Sequence, residues 1–375
     1  MEEWRLLMLG ALDGYRIQTA YEAVAWGVSK GLAPNTLNIC WPSSPYVCIG
    51  IHQLPELEVN LEFCKRVGVP VVKRQVGGGA VWLDENQVFY HVIVHKDHEL
   101  ARGTPADFFK KLLKVIVKFY RSYGIPAEYK PVNDVVVHGK KISGNGAARL
   151  YDAMVLIGNV ILDFNAEMAS KVLRVPSEKM RDKVFKTMQE WVSSMKRELG
   201  YIPPRDEIVR RLIECFEDAL LIRLVKGELT AEEKSVWEGL VEKFKSPSWM
   251  YGGFYDKQSL LEGYAPGTRI VKIREGHFIL FVDYKALKTV RFIIEVVDGV
   301  IEKALISGDF FVEPPKALDA IAGGLEGLRI TSDQVEDSVI ESFKRNVKTS
   351  AGLKAEDLIC VIRKAREVFS KATGR

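Results

Sequence analysis

Lys73-Arg74-Gln75-Val76-Gly77-Gly78-Gly79-Ala80-Val81 is the stretch from which the rest of the chain is read. Three consecutive glycines bare the backbone on both faces, so a ligand can approach the main chain and amide N–H groups can turn toward an anion. Two cations stand just upstream, where a phosphate or a carboxylate can meet them. The apolar residues 69–74 predict a strand leading into the loop. No G-x-x-x-x-G-K-[ST] occurs and no G-x-G-x-x-G opens a helix, so neither a Walker-type NTPase nor a Rossmann dehydrogenase is supported. Taken alone, a Gly-rich run after a strand is equally readable as only a turn.

Around this loop the first third reads as mixed α and β. Residues 17–30, 61–67 and 104–123 have helical spacing. The last of these is capped by Thr104 and Pro105 and ended by Gly124. Residues 37–41, 46–51, 87–95 and 152–164 are apolar or β-branched runs bounded by turn residues, which predicts strands. From 166 to about 245 the pattern turns helical, with a capping box at Thr230-Ala231-Glu232-Glu233. This Lys- and Glu-rich stretch reads as a solvated helical layer over a sheet. Beyond Ser246-Pro247-Ser248-Trp249, strands are expected at 268–272, 277–282 and 289–297. Asp298-Gly299 is a hairpin signal, and two helices near 333–345 and 355–372 close the chain. A domain boundary is expected near Lys245, giving units 1–245 and 246–375.

The chain has 375 residues, 47% hydrophobic and 27% charged, with a formal net charge of +4. That charge is too small and too mixed to argue for nucleic acid. Five cysteines, Cys40, Cys48, Cys64, Cys215 and Cys360, include no C-x-x-C pair. A reducing cytoplasm fits this better than a disulfide framework. No secretory signal and no membrane-length apolar stretch is read, so a cytoplasmic protein without membrane partners is expected. His91, His95 and His98 do not make a metal site, because residues four apart on a strand lie about 13 Å apart.

The second informative run is Asn133-Asp134-Val135-Val136-Val137-His138-Gly139-Lys140-Lys141-Ile142-Ser143-Gly144, which predicts a β-hairpin carrying adjacent lysines. A fixed ammonium suits a reaction in which negative charge builds on phosphorus oxygens. On a strand Lys140 points away from Lys141. Asn133-Asp134 reads either as a turn pair or as a carboxylate for Mg²⁺ and phosphates.

Together the two runs resemble the lipoate–protein ligase A family, within the lipoate and biotin ligase and octanoyltransferase group. Arg74 aligns with the second arginine of the family's R-R-x-x-G-G-G, and its planar fork suits a carboxylate or phosphate. Lys141 holds the position of the essential lysine in G-R/K-K-I/V-x-G. Val47-Cys48-Ile49-Gly50-Ile51-His52-Gln53 resembles V-V-I-G-x-x-Q, and Val47, Ile49, Val72 and Val81 are candidates for an apolar acyl groove. Asp84 and Asn86 match F/V-H-D-x-G-N, but Leu83 replaces its histidine and Glu85 its glycine. Ile157-Gly158-Asn159-Val160-Ile161-Leu162-Asp163 stands where the family has H-G-T-L-L, and keeps only Gly158, the apolar tail and the following Asp163. Gly308-Asp309-Phe310-Phe311 resembles a run of the family's accessory domain.

The resemblance implies an α+β fold, a mixed and largely antiparallel sheet with helices as in class II synthetase-like and biotin ligases, with a small α+β C-terminal domain. It implies ATP-dependent activation of lipoate to lipoyl-adenylate and transfer to a lysine of a lipoyl carrier domain. The carrier would be a dehydrogenase-complex subunit or a glycine-cleavage-type carrier. Lys141 would be the catalytic lysine. Arg74, Val76, Gly77, Gly78, Gly79, Ala80, Val81, Asp84, Asn86, Asn133, Ser143, Gly144 and Gly158 would line the lipoate and adenylate site. Asp134 would hold Mg²⁺, an Arg- and Lys-rich loop at 174–186 would close over the adenylate, and a monomer is expected. The chief rival is an octanoyl or lipoyl transferase using an acyl-cysteine. It needs a thiolate beside the lysine, and no cysteine lies between 65 and 214, which leaves Cys48 or Cys64. A biotin ligase lacks support because its G-R-G-R-x-G loop is absent. The Leu83 and Ile157 departures motivate a third reading, a non-catalytic protein that binds lipoyl domains.

Overall fold

The computed structural model describes residues 1–131, 133–175, 178–251, 261 and 267–374. Its frame is an eight-stranded sheet with the spatial order Ile222–Lys226, Glu2–Leu12, Thr36–Pro42, Gln87–His95, Ala153–Ile161, Lys140–Leu150, Asp134–Val137, Glu128–Lys130. The first two pairings are parallel and the other five antiparallel. The central strands are mostly apolar because both faces are covered. Helices Pro105–Arg121 and Arg205–Leu220 cover one face through Leu112, Phe119 and Phe216 against Val88, Val92 and Leu156. Helix Gly14–Ser29 covers the other, packing Tyr21, Val24 and Val28 on Leu7, Ile93 and Val155. Asp13 starts that helix by accepting the amides of Tyr15 and Arg16, the usual role of an N-cap carboxylate. Outside it lies helix Ala231–Lys245, held by a buried two-pronged pair in which Arg5 Nη1 and Nη2 donate to Glu233 at 2.7 and 2.6 Å.

A three-stranded sheet, Val71–Lys73, Tyr46–Ile49 and Val81–Leu83 with Tyr46–Ile49 in the middle, presents the glycine loop at one end of the main sheet. The C-terminal part is an antiparallel meander of Arg269–Arg274, His277–Lys285, Thr289–Val297 and Val300–Gly308. Helices Ala317–Gly323, Gln334–Asn346 and Ala355–Thr373 back it through a separate core around Phe292, Ile306, Ile321 and Val361. Asp298 and Gly299 both have positive φ, 50° and 83°, as a type I′ hairpin turn requires. The two parts meet where Leu54 and Leu57 pack on Phe281, Ile293 and Leu305. The His52 ring stacks on Phe310 at 5.5 Å there, and Arg291 pairs with Glu58.

Three points depart from the sequence reading. The stretch read as purely helical contains the strand Ile222–Lys226, an edge strand made by its parallel partner Glu2–Leu6 more than two hundred residues away. Glu2–Leu12, not assigned from sequence, is an inner strand of the sheet. Most of the expected loop at 174–186 is helix, Glu178–Trp191, with residues 176–177 outside the described ones. Val47, Ile49 and Val72 are fully buried, and Val81 is 41% exposed.

His52 and His91 are both buried, and burial pushes each pKa from 6.5 to about 3. Both are neutral in the fold but take up a proton when unfolded below about pH 6.5. The unfolded state therefore binds more protons, and stability falls as pH drops through this window. We expect the melting temperature to decline from pH 7 to pH 5, the range in which the two imidazoles take up protons on unfolding. A flat profile would contradict the burial of these rings in the neutral form.

Candidate active site

The hairpin lysine sits at the open end of the main sheet. Strands Asp134–Val137 and Lys140–Leu150 are joined by His138 and Gly139, both at positive φ (49° and 76°), a two-residue turn of the I′ kind. A register shift between Val135 and Val136 sets Lys141 opposite Val136 and Gly144 opposite Asp134. Lys141 Nζ then reaches Asp134 at 2.7 Å, with the two side chains 41% and 33% exposed. The lysine lies over Gly144, where a Cβ would stand 3.3 Å from Lys141 Cε. Lys141 also bridges to Val192, and the Ser193 amide donates to its carbonyl at 2.8 Å.

The glycine loop is tied to the neighbouring strand by Arg74 N donating to Ile49 O and Ile51 N to Val76 O, both at 3.0 Å. Arg74, read as a fork for a carboxylate or phosphate, is turned onto the carbonyls of its own loop and of Cys48. Nε and Nη2 donate to Gly77 O at 3.3 and 2.9 Å, Nη2 also to Gly79 O at 2.9 Å, and Nη1 to Cys48 O at 3.2 Å. The guanidinium thus shapes the loop from behind by collecting its carbonyls. Gly78 turns through φ 102°, a conformation that L side chains rarely adopt. Gly77 lies against the C-terminal part: a Cβ there would be 2.6 Å from Phe310 O, and Gly79 faces Asp309.

Several other expected site residues turn out to hold the lysine hairpin. Ser143 is fully buried and shares a hydrogen bond of 3.1 Å with Tyr90 OH. Tyr90 OH donates to Asn145 Oδ1 at 2.5 Å, and Asn145 Nδ2 donates to Asn133 O at 3.1 Å. Asn133 Nδ2 returns to Asn145 O. Gly158 is required by this network, because a Cβ would strike Tyr90 OH and Asn145 Oδ1. Asn159 accepts the Gly144 amide at 2.8 Å and donates to Gln87 Oε1 at 2.5 Å. Burial raises the Tyr90 pKa, so the phenol stays protonated as a donor. Tyr90, Asn145 and Asn159 were missed in the sequence. Tyr90 and Asn159 left only the trace of polar atoms inside otherwise apolar strands, and Asn145 stands in a strand of mixed residues that gives no such contrast.

Asp84 is likewise internal. It accepts Trp82 Nε1 at 2.7 Å and the Asn86 amide at 3.0 Å, and burial raises its pKa. Asn86 opens onto a cavity of about 730 Å³ with Phe164, Asn165, Phe185, Ser193 and Arg197 in its wall. This cavity adjoins Lys141 through Val192 and Ser193. Val76 is buried beside Tyr21 and Ile157, and Ala80 packs toward Trp82.

Among the described residues no group of three metal-ligating side chains occurs, and no helix is long and apolar enough to cross a membrane. Asp134 is a single, part-exposed carboxylate with one oxygen on Lys141. That fits Mg²⁺ only as it is usually held beside phosphates, by one or two carboxylates with the substrate supplying the rest. Cys40, Cys48, Cys64 and Cys215 are buried, and burial raises each thiol pKa. Cys360 lies on the last helix of the C-terminal part.

Residues 15–217 match the family model for the lipoyl protein ligase A/B catalytic domain. The octanoyltransferase LipM of Kyrpidia tusciae is 29% identical over 273 residues, covering 67% of this chain and 99% of that protein. The lipoate-protein ligase A subunit 1 of Thermoplasma acidophilum is also 29% identical, covering 67% and 97%. Among solved structures, the bi-partite lipoate protein ligase of Thermoplasma acidophilum, described with its E2 lipoyl domain, matches at TM-score 0.60 and 28% identity over 66% of this chain and 96% of that one. The fold of LipL1 of P. falciparum, in complex with lipoate, follows 98% of this chain and 99% of its own at TM-score 0.64 and 14% identity. The glycine loop and the lysine hairpin stand inside the matched region, and the chain belongs to the lipoyl protein ligase A/B family.

Proposed function

We propose that this protein is an ATP-dependent lipoate–protein ligase. The observation that carries the reading is the cysteine map: the part-exposed Lys141–Asp134 pair lies on the hairpin whose second strand passes under Val76 of the glycine loop, and Cys48, the cysteine beside that loop, is buried. An acyl-cysteine route needs a thiolate. Cys48, the thiol near the loop, is sealed among Ile17, Val72 and Phe89, with its pKa raised by burial.

The lipoate carboxylate attacks the α-phosphorus of ATP, an O–P bond forms and pyrophosphate leaves. Charge developing on the phosphorus oxygens is met by the Lys141 ammonium, held by Asp134 before the reaction starts. The glycine loop lets the activated ester approach the backbone, and the cavity bounded by Asn86 and Phe185 is large enough for the adenosine. Asp134 would hold Mg²⁺, which screens phosphate charge when bound. In the second step a carrier lysine amine attacks the acyl carbonyl and AMP leaves. The partners are lipoyl carrier domains, as with the Thermoplasma relative. We assign the chemistry to residues 1–245 and an accessory role to 246–375, in a cytoplasmic monomer.

Octanoyl transfer is the second reading, favoured by LipM relatives as similar as the ligase subunit. The LipM relatives and the ligase subunit alike align with about two thirds of this chain. Mixing the protein with lipoate, ATP, Mg²⁺ and an unmodified lipoyl domain should release AMP and add a lipoyl mass to the domain. Acyl transfer from an octanoyl-carrier thioester without AMP would replace the ligase reading by the transferase one.

A further inference from the structure

Five cross-strand partners form one straight row over the sheet: Leu7, Asn38, His91, Ile157 and Gly146. Directly paired residues share a face, and each step is about 4.8 Å. The outer end is bare. Gly146 has no side chain and lies under Val76 of the glycine loop, whose Cγ2 would be 3.1 Å from a Cβ at Gly146. Ile157 follows, in one apolar cluster with Val76 and Tyr21. The inner end is polar. His91 and Asn38 are completely buried, and none of the four nitrogen and oxygen atoms of their side chains has a hydrogen-bond partner. Tyr21 sets its ring edge-on to His91 at 5.3 Å and accepts the Gln75 amide of the loop at 3.2 Å.

Unmade hydrogen bonds on buried groups are rare and costly, and two such side chains facing each other across neighbouring strands call for a function. The fully buried imidazole is neutral, so it offers one N–H and one acceptor nitrogen. Two strand spacings separate Gly146 from His91, about 10 Å, the length of a medium-length acyl chain.

We infer that this row is the acyl track, and that His91 with Asn38 forms its specificity-determining end, reading the sulfur-containing ring at the tip of a lipoyl chain. The inference rests on the acyl-substrate reading above. Ring sulfur is a weak acceptor for the His91 or Asn38 N–H and packs favourably at the edge of the Tyr21 ring. A chain ending in methyl offers neither contact and leaves the polar end unpaired, which is how a buried hydrogen-bonding site rejects an analogue.

The test compares lipoate with octanoate in ATP-dependent AMP release. The native protein should favour lipoate by about tenfold in kcat/KM, and His91→Leu should bring the ratio toward one. An active His91→Leu protein with an unchanged ratio overturns the inference and leaves the ligase reading intact. A second measurement covers a variant that fails to fold. In the native protein, with six histidines to resolve, lipoate added without ATP should shift the His91 ring ¹⁵N signals while octanoate shifts them less. Equal or absent shifts with both acids overturn the inference and indicate that only buried water serves these groups. A lipoate-specific shift without any AMP release supports the track and overturns the ligase reading instead.

Discussion

Lys141→Ala lowers lipoate-dependent release of pyrophosphate from ATP by about 10²–10³-fold, the range found when one preorganised donor to a developing oxyanion is removed. The loss falls on kcat more than on KM, because the ammonium acts where charge develops and not where it already rests. Stability should change little. The lysine's ion pair with Asp134 is part-exposed on both sides, and such pairs contribute about 0–1 kcal/mol. Lys141→Arg is not a rescue, since a planar fork cannot take the place of a point charge lying flat over Gly144. Stopped pyrophosphate assays with thermal melts on the same preparations check both halves. Near-normal turnover in Lys141→Ala would remove Lys141 from the chemistry.

Gly77→Ala carries the second large effect, and its cause is steric. A methyl group there would stand 2.6 Å from the carbonyl oxygen of Phe310 and 3.1 Å from Phe311 Cα, both backbone atoms. Backbone cannot swing aside as a long side chain can, so either the glycine loop or the C-terminal part must shift. A displacement on the order of 1 Å in a positioning element costs about 10²-fold in rate. Gly79→Ala is the matched control, because its Cβ would meet nothing closer than Asp309 Cβ at 4.0 Å. We expect Gly77→Ala to lose activity and to loosen the seat of the C-terminal part, read as raised protease sensitivity at the contact of His52 with Phe310. Gly79→Ala should keep the native protease pattern. Equal behaviour of the two variants would mean that this contact does not position the loop.

The elements legible in the sequence were those whose burial is uniform. Gln87–His95 and Ala153–Ile161 are nearly continuous apolar runs because helices cover both faces of the sheet. Pro105–Arg121 announced itself by its cap, since Thr104 and Asp107 exchange hydrogen bonds as a capping box. Ile222–Lys226 was hidden because a short edge strand with Arg223 and Lys226 in it has no local signature. Only its distant partner, the strand Glu2–Leu12, makes it one. At the site, residue types were readable and their division of labour was not. Lys141 and Asp134 meet in an accessible pair. Arg74, Asn133, Ser143 and Gly158 serve as the frame, through contacts between residues far apart in the chain. His91 and Asn38 each sit inside an apolar strand, and only the pairing of their strands brings the two together.

The central claim is that a carboxylate attacks the α-phosphorus to give an acyl-adenylate, and oxygen labelling follows that bond directly. Lipoate labelled with ¹⁸O in both carboxylate positions is turned over with ATP and an unmodified lipoyl domain, and the AMP is analysed by mass spectrometry. Each AMP should contain one ¹⁸O, carried over when the carrier lysine displaces the phosphate ester. AMP without label, or lipoylation without AMP, would contradict it.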